Sequence, residues 1–308
     1  MIVAHAPPER ISSSFPESRF PPAADRAEAY SQCVSDGRHI MARRSVVLCG
    51  LARNVAHVLP RTIERIERLG GMFADYRVVI YENDSQDKTL ELLHAWQVAH
   101  DQVDILSECR NDPVNLPVRC LDRTARMAHY RNVCRDYIAC HYADFDHVIV
   151  VDTDLYGGWS YDGVAHTFGQ SNWDSVGSYG IIYRRSGLGR SKAIQYDAWA
   201  LRRSGSDTPL SGKEASRMRC RRGDRMIRVN SCFGGLGVYR MEALLACRYD
   251  GSDCEHVGFH RKMQEQGLQR IYLNPNQLVL YGRKRRSVDR FATACHQTVT
   301  MLSGVVLS

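Results

Sequence analysis

His147-Val148-Ile149-Val150-Val151 runs directly into Asp152-Thr153-Asp154. Four consecutive β-branched residues without a polar break read as a strand buried on both faces, the pattern of a parallel sheet covered by helices. The run stops at two carboxylates one residue apart. In open α/β sheets, ligands bind beyond the C-terminal ends of the strands, so these carboxylates fall where chemistry is expected.

Working outward, the same pattern recurs. Val46-Val47-Leu48 is a short apolar run ending at Gly50, Tyr76 to Tyr81 is a second, and Val103 to Leu106 a third. Helical periods lie between them: Ile63, Ile66 and Leu69 closing at Gly70-Gly71, then Lys88 to His100 with Leu90, Leu93 and Trp96 inward, then Asp122 to His141. The alternation predicts an α/β fold, with a mostly parallel central sheet and helices on both faces. Three strands end in polar loops, Gly50 to Asn54, Glu82 to Asp87 and Asp152 to Asp154, and all three are expected on one edge. Residues 1–44, rich in Pro, Ser, Ala and Arg, read as a poorly ordered leader with a short helix around Ala24 to Cys33. Residues 45–282 form the domain, with a nucleotide-binding half over about 45–155 and an acceptor half over about 156–282. Residues 283–308 are a basic and amphipathic tail.

The 308 residues are 44% hydrophobic and 24% charged, which suits a globular domain with a substantial core. No stretch reaches the roughly 18 apolar residues that cross a bilayer. No secretory signal is apparent at the N-terminus, and a cytoplasmic location is the expectation. Eleven cysteines without a C-x-x-C pair argue against a zinc cluster and do not form an even disulfide set. The net charge of +7 favours phosphate-bearing ligands, anionic lipid or nucleic acid without choosing among them. Part of it lies in Arg217 to Arg225 (RMRCRRGDR) and Arg283 to Arg286 (RKRR), each a solvated loop, a phosphate-binding loop or a membrane contact.

Asp152 and Asp154 can bind one hard divalent cation, Mn²⁺ or Mg²⁺, which would bridge a diphosphate and stabilise its charge on departure. D-x-D alone is common in turns; its place after a buried strand is what gives it weight. Tyr81-Glu82-Asn83-Asp84-Ser85-Gln86-Asp87 caps the next helix and offers more acceptors than a cap requires, with Asp84 able to meet a base or ribose. Arg53-Asn54, Arg131-Asn132 and Arg126 add donors suited to phosphate and to a base or ribose. Gly234-Gly235-Leu236-Gly237 permits close backbone approach to a ligand, or makes a tight turn before a Tyr239 to Cys247 helix. Asp253-Cys254-Glu255-His256 opens a further helix ending near Gly267.

The segments GLARNVA, YENDSQDKT, RNVCRDY, VVDTDL and SCFGGLGVYRMEALLACRYDGSDCEHVGFHRKMQEQGLQRIYLNP resemble the glycosyltransferase-A fold, and more closely the cryptococcal, capsule-associated mannosyltransferase-like proteins. The similarity spans roughly residues 45 to 282. It implies nucleotide contacts from Arg53, Glu82, Asp84 and Arg131, metal binding by Asp152 and Asp154, and a donor and acceptor cleft lined at Gly235. In related transferases an acidic pair near position 255 supplies the catalytic base or orients the acceptor hydroxyl. Glu255 comes first here and Asp253 second, because His256 stands where many inverting relatives carry Asp. His256 or His260 would then complete the metal shell or contact phosphate.

The expected reaction moves a sugar from a nucleotide-sugar donor to a glycan or lipid-linked saccharide through an oxocarbenium-like state. Mannosyl transfer is among the activities the resemblance implies. A nucleotidyltransferase is a rival that would need a Gly-rich basic loop after its first strand, of which GLARNVA is a poor version. A basic nucleic-acid-binding protein is the rival from another class, and acidic strand ends argue against it. The tail from Ser287, apolar behind a basic run, either docks on anionic membrane, packs on the domain or stays disordered.

Overall fold

The structure, a computed structural model, describes residues 15–115, 120–185 and 191–282. After two short 3₁₀ turns, Glu17–Arg19 and Ala24–Arg26, come α1 (Ala27–Met41), β1 (Ser45–Ala52), α2 (Leu59–Gly70), β2 (Asp75–Asn83), α3 (Thr89–Ala99), β3 (Val103–Glu108), α4 (Leu121–His141) and β4 (His147–Asp152). Next come β5 (Gly158–Trp159), α5 (Tyr161–Phe168), β6 (Ser175–Arg185), β7 (Ser191–Gln195), β8 (Arg202–Arg203) and α6 (Gly212–Arg217). The chain continues through β9 (Ile227–Ser231), β10 (Leu236–Arg240), α7 (Met241–Leu245), α8 (Glu255–Glu265) and β11 (Ile271–Gly282).

These strands form one sheet in the order β3-β2-β1-β4-β10-β6-β11-β9-β8, with β5 beside β11 and β7 beside β6. Strands β3, β2, β1 and β4 are parallel, as the alternation predicts. Beyond β4 the sheet is mixed: β10 runs antiparallel to both β4 and β6, while β11 is parallel to β6. Successive residues of β1 point to opposite faces, and both faces are covered. Val47 and Cys49 join a core with Cys134 and Ile138 of α4 and Phe259 of α8. Val46 and Leu48 join a second core with Ile66 and Leu69 of α2 and Val164 of α5. Pairing of Ala52 with Glu82 and of Leu51 with Asp152 brings the ends of β1, β2 and β4 level on one edge.

Two expectations are corrected. Residues 15–44 are not a loose leader over their described part. α1 packs on α5 through Tyr30, Val34, Gly37 and Met41, whose spacing makes one buried stripe that a polar average composition conceals. Ahead of it, Glu17 accepts from the Ser160 hydroxyl and pairs with Arg222. Arg222 of the first basic cluster is therefore a buried structural cation, its guanidinium over the rings of Phe15 and Tyr30. Second, Tyr239 and Arg240 belong to β10 rather than to a helix, because pairing with β4 and β6 captures them and leaves only Met241–Leu245 helical. The cluster at 283–286 and the tail lie outside the described residues. Among those described, no helix is long and apolar enough to cross a membrane.

Gly37 is where α1 meets α5: a methyl there would overlap the Ala165 carbonyl, and backbone cannot rotate away. At an exposed helix position Gly→Ala gains about 1 kcal/mol. Here Gly37→Ala is expected to lose about 1–3 kcal/mol by overpacking, read by denaturant unfolding. Burial also holds four imidazoles neutral, with pKa values lowered to about 4 for His147 and His166, to about 3 for His260, and well below the usual range for His256. Their unfolded counterparts take up protons below about 6.5, so stability falls as pH drops from there to about 4. A Tm series across that window checks the slope, which should flatten in His166→Gln.

Candidate active site

The segment after β4 is strapped from behind. The Asp152 N–H donates to the Gly235 carbonyl at 2.9 Å. Thr153 turns inward, donating to the Leu51 carbonyl at 2.6 Å and accepting at its own carbonyl from Thr62 at 2.9 Å. Arg65, fully buried, donates to the carbonyls of Leu155 at 2.7 Å and Tyr156 at 2.9 Å. With alternate residues fixed inward, the carboxylates of Asp152 and Asp154 are left on the open side of the strand end. The Tyr281 hydroxyl donates to Asp154 at 2.8 Å, and its ring stacks on Tyr196 with centroids 4.2 Å apart.

Arg131 of α4 joins this edge to α8. Its guanidinium lies 3.8 Å from Asp152 Oδ1 and donates to Glu255 Oε1 at 3.1 Å, with the side chain only 6% exposed. It also covers the Phe233 and Tyr249 rings. Burial works against its charge, but Glu255 and Asp152 more than restore it, so Arg131 stays protonated. Asp152 is the reverse case. Burial, then the charge of Asp154, pushes its carboxyl well above the usual range, with Asp197 and Glu255 adding to this and Arg131 opposing it.

The other expected ligand groups are present at the edge but bond to the protein. Glu82, 1% exposed, accepts from the Ser85 N–H at 2.9 Å and the Ser107 hydroxyl at 2.7 Å. Asp84 accepts three backbone N–H groups, from Arg110, Asn111 and Asp112, and the Asn83 amide. Against the opposing effect of burial, these donors lower its pKa to about 2. Arg53 donates to the carbonyls of Asp112 at 2.7 Å and Pro113 at 3.0 Å. Asn132 exchanges two hydrogen bonds of 2.9 Å with the Tyr249 backbone, tying α4 to the chain before α8, which leaves its amide occupied.

Of the pair near α8, Asp253 is held by Arg202 at 2.8 Å, whereas Glu255 opens the helix beside Arg131. His256 is 2% exposed and stacks on Phe233 with centroids 3.9 Å apart. Its Nε2 lies 3.7 Å from Glu255 Oε1, and burial keeps the ring neutral. Among the described residues, no three His, Cys, Asp or Glu side chains converge as a metal-binding group, so His256 does not join Asp152 and Asp154 in one shell. His260 likewise bonds inward, to the Ser231 hydroxyl at 2.9 Å. The glycine turn does reach the site: Gly234 and Gly235 have φ of +69° and +90°, the left-handed region open to glycine.

Asp197 and Tyr281 were not visible as site residues in the sequence. Asp197 follows β7 in a stretch without apolar period or motif, and Tyr281 ends a strand whose neighbours are remote in sequence. A cavity of about 520 Å³, lined by Arg44, His147, Trp173 and Arg240 among others, lies at the opposite edge, where β1 and β4 begin. It is remote from the carboxylates.

Residues 46–269 match the family described as Cryptococcal mannosyltransferase 1. No curated protein matches the chain. Among solved structures, the chain is similar to the mannosyltransferase PcManGT from Pyrobaculum calidifontis in complex with GDP-Man and Mn²⁺. Identity is 12%, coverage is 87% of this chain and 68% of that one, and the TM-score is 0.48. GalNAc-T7 with UDP, GalNAc and Mn²⁺ overlaps at 11% identity, 91% and 57% coverage and a TM-score of 0.46. Glucosyl-3-phosphoglycerate synthase from Mycobacterium tuberculosis, with Mn²⁺, UDP and phosphoglyceric acid, overlaps at 16%, 89% and 83%, and 0.44.

An Asp whose carboxyl is raised by burial favours the folded state when protonated, and that contribution is lost as pH rises through the folded pKa. In metal-free buffer at neutral pH, Asp152→Asn is therefore expected to raise Tm by about 2–4 °C for each kcal/mol of relieved repulsion. The gain over wild type should shrink on acidification as Asp152 takes up its proton; calorimetry at two pH values checks both.

Proposed function

The chain belongs to the cryptococcal mannosyltransferase 1 family, and on that premise we propose that it is a divalent-metal-dependent glycosyltransferase whose site is the edge around Asp152, Asp154, Arg131 and Glu255. Transfer from a nucleotide-sugar donor follows from the family. A mannosyl-type donor and a glycan or lipid-linked saccharide acceptor are the finer parts of the reading. The observation that carries it is the line of charges Asp152–Arg131–Glu255, which sets strand-end carboxylates, a fixed cation and a candidate base side by side next to a glycine turn.

The donor set fits a hard cation. Asp152 and Asp154 offer only oxygen, no thiol or imidazole joins them among the described residues, and Asp152 is raised by burial and by its like-charged neighbour. Held by these two carboxylates, Mn²⁺ or Mg²⁺ would supply positive charge for a departing diphosphate. Arg131, locked in its charged form, stands beside the same place and offsets the negative charge that develops there. Gly235 puts no side chain against Asp152, where a Cβ would lie 3.7 Å from Oδ2.

Glu255 is the better base of the acidic pair. One oxygen is fixed by Arg131, while the other has only the weak Cys254 thiol contact at 3.8 Å and can take an acceptor hydroxyl proton if the reaction inverts. Asp253 is committed to Arg202. Arg53, Glu82 and Asp84 serve the nucleotide by building a rigid wall from the loops after β1, β2 and β3, not chiefly through free polar atoms. Asn132 acts at one remove, by holding α4 where Arg131 points.

A screen of nucleotide sugars with Mn²⁺, reading released nucleoside diphosphate, tests the reading. Asp154→Ala should lose turnover by about 10³-fold or more with an unchanged circular dichroism spectrum. Glu255→Gln should lower kcat about 10²–10⁴-fold with little change in donor KM. Full activity of Asp154→Ala, or turnover that persists in excess EDTA, removes the metal mechanism.

A further inference from the structure

Asp197 lies outside every motif in the chain, yet it holds the glycine turn that adjoins Asp152. Tyr196, just before it, donates its N–H to the Gly180 carbonyl at 2.8 Å, which sets the chain against β6. Asp197 Oδ2 then accepts the Gly234 N–H at 3.1 Å, and Oδ1 accepts the Ala200 N–H at 3.3 Å. Gly234 is wedged so that a side chain would collide with the Ser178 carbonyl. The following Gly235 accepts from the Asp152 N–H at 2.9 Å, and a Cβ placed on it would lie 3.7 Å from Asp152 Oδ2. A continuous path therefore runs from the Asp197 carboxylate through the glycine turn to the strand-end carboxylate.

Charge adds a second, independent observation. Burial raises the Asp197 carboxyl above its usual range, the Gly234 and Ala200 N–H groups oppose this, and Asp197 bears on Asp152 and Glu255 as a like charge with Arg131 as its cationic counterpart. A turn needs only an acceptor oxygen, and a neutral Asn would supply that without the cost of a buried charge. An Asp at this place makes sense if its charge is used. Sites for hard cations bind more tightly as carboxylate charge accumulates around them.

We propose that Asp197 is a positioning residue for the Asp152 site: it fixes the glycine turn against the strand end and, through its charge, strengthens capture of a divalent cation by Asp152 and Asp154. The proposal rests on the metal reading above and assigns Asp197 no contact with the ion.

The test is Mn²⁺ binding to the full chain without donor or acceptor, followed by electron paramagnetic resonance of the free ion, with thermal unfolding in parallel. Asp197→Asn keeps an acceptor for Gly234 and removes the charge. It is expected to melt at or above the wild-type Tm and yet bind Mn²⁺ about five- to twentyfold more weakly, as a unit charge lost several ångströms away implies. Asp197→Ala, which loses the acceptor as well, should weaken binding further. In turnover, the Mn²⁺ concentration for half-maximal rate should rise in Asp197→Asn while acceptor KM is unchanged, a split that mere loss of fold would not give. Wild-type protein that takes up no Mn²⁺ overturns the metal reading and this proposal together. Wild-type uptake with equal uptake by Asp197→Asn overturns this proposal alone.

Discussion

A buried guanidinium holds this site together. Taking Arg131 out of water is expensive, and the cost is met only because two carboxylates from distant parts of the chain reach it, one ending β4 and one opening α8. Aromatic faces of Phe233 and Tyr249 close the remaining sides. The neighbours of Arg131 on α4 extend the same junction by polar ties: Asn132 to the Tyr249 backbone, and Arg135 to the carbonyls of Leu245 and Cys247. The long helix is thus aligned by charge and hydrogen bonding along one side and by apolar packing along the other. Losing Arg131 would leave Asp152 and Glu255 without their shared cation, whereas losing Asp152 leaves Arg131 still paired with Glu255.

The loops beyond β1, β2 and β3 form a truss. Asn54 accepts from Gln86 while Ser85 accepts from Asn54, and Asp84 gathers the backbone of residues 110–112. Three non-glycine residues there, Asn54, Asp84 and Asn111, adopt φ near +55°, which Asn and Asp tolerate better than other side chains. Polar atoms spent in this way make a pre-formed wall. A ligand meeting it gives up less ordering entropy in the protein than one that must gather mobile side chains.

How far sequence alone reached follows from the range of the interactions involved. Strands β1, β2 and β4 and their shared edge were legible because a doubly covered parallel strand is a continuous apolar run and a strand-end carboxylate pair stands out behind it. Asp152 stood out by its place behind a buried strand, while Arg131 was expected as a nucleotide contact and lies between Asp152 and Glu255. α1 was expected only as a short helix around Ala24 to Cys33, and its full length and packing were missed because its four packing positions are diluted by polar residues and include Gly37, which reads as a helix breaker until the opposing α5 backbone is known. Tyr239 was assigned to a helix because local propensity says nothing about the two strands that claim it. Residue type placed Glu82, Asp84 and Asn132 at the site, but whether an acceptor faces a ligand or a neighbouring loop is decided by tertiary contacts. For Asp197, no local pattern exists at all.

The docking of α1 has a further implication, for events during synthesis. Glu17 must wait for Ser160, 143 residues later, and Arg222 comes later still. At ribosomal speeds of about 5–20 residues per second, the interval is roughly 7–30 s. Throughout it, the stripe of Tyr30, Val34 and Met41 has no α5 to cover it. A helix made ahead of the strands of the sheet therefore finds its seat only after β1 to β5 have been made, and in a nascent chain its apolar stripe is left to transient burial, on β1 and β2 or on a chaperone, until α5 emerges.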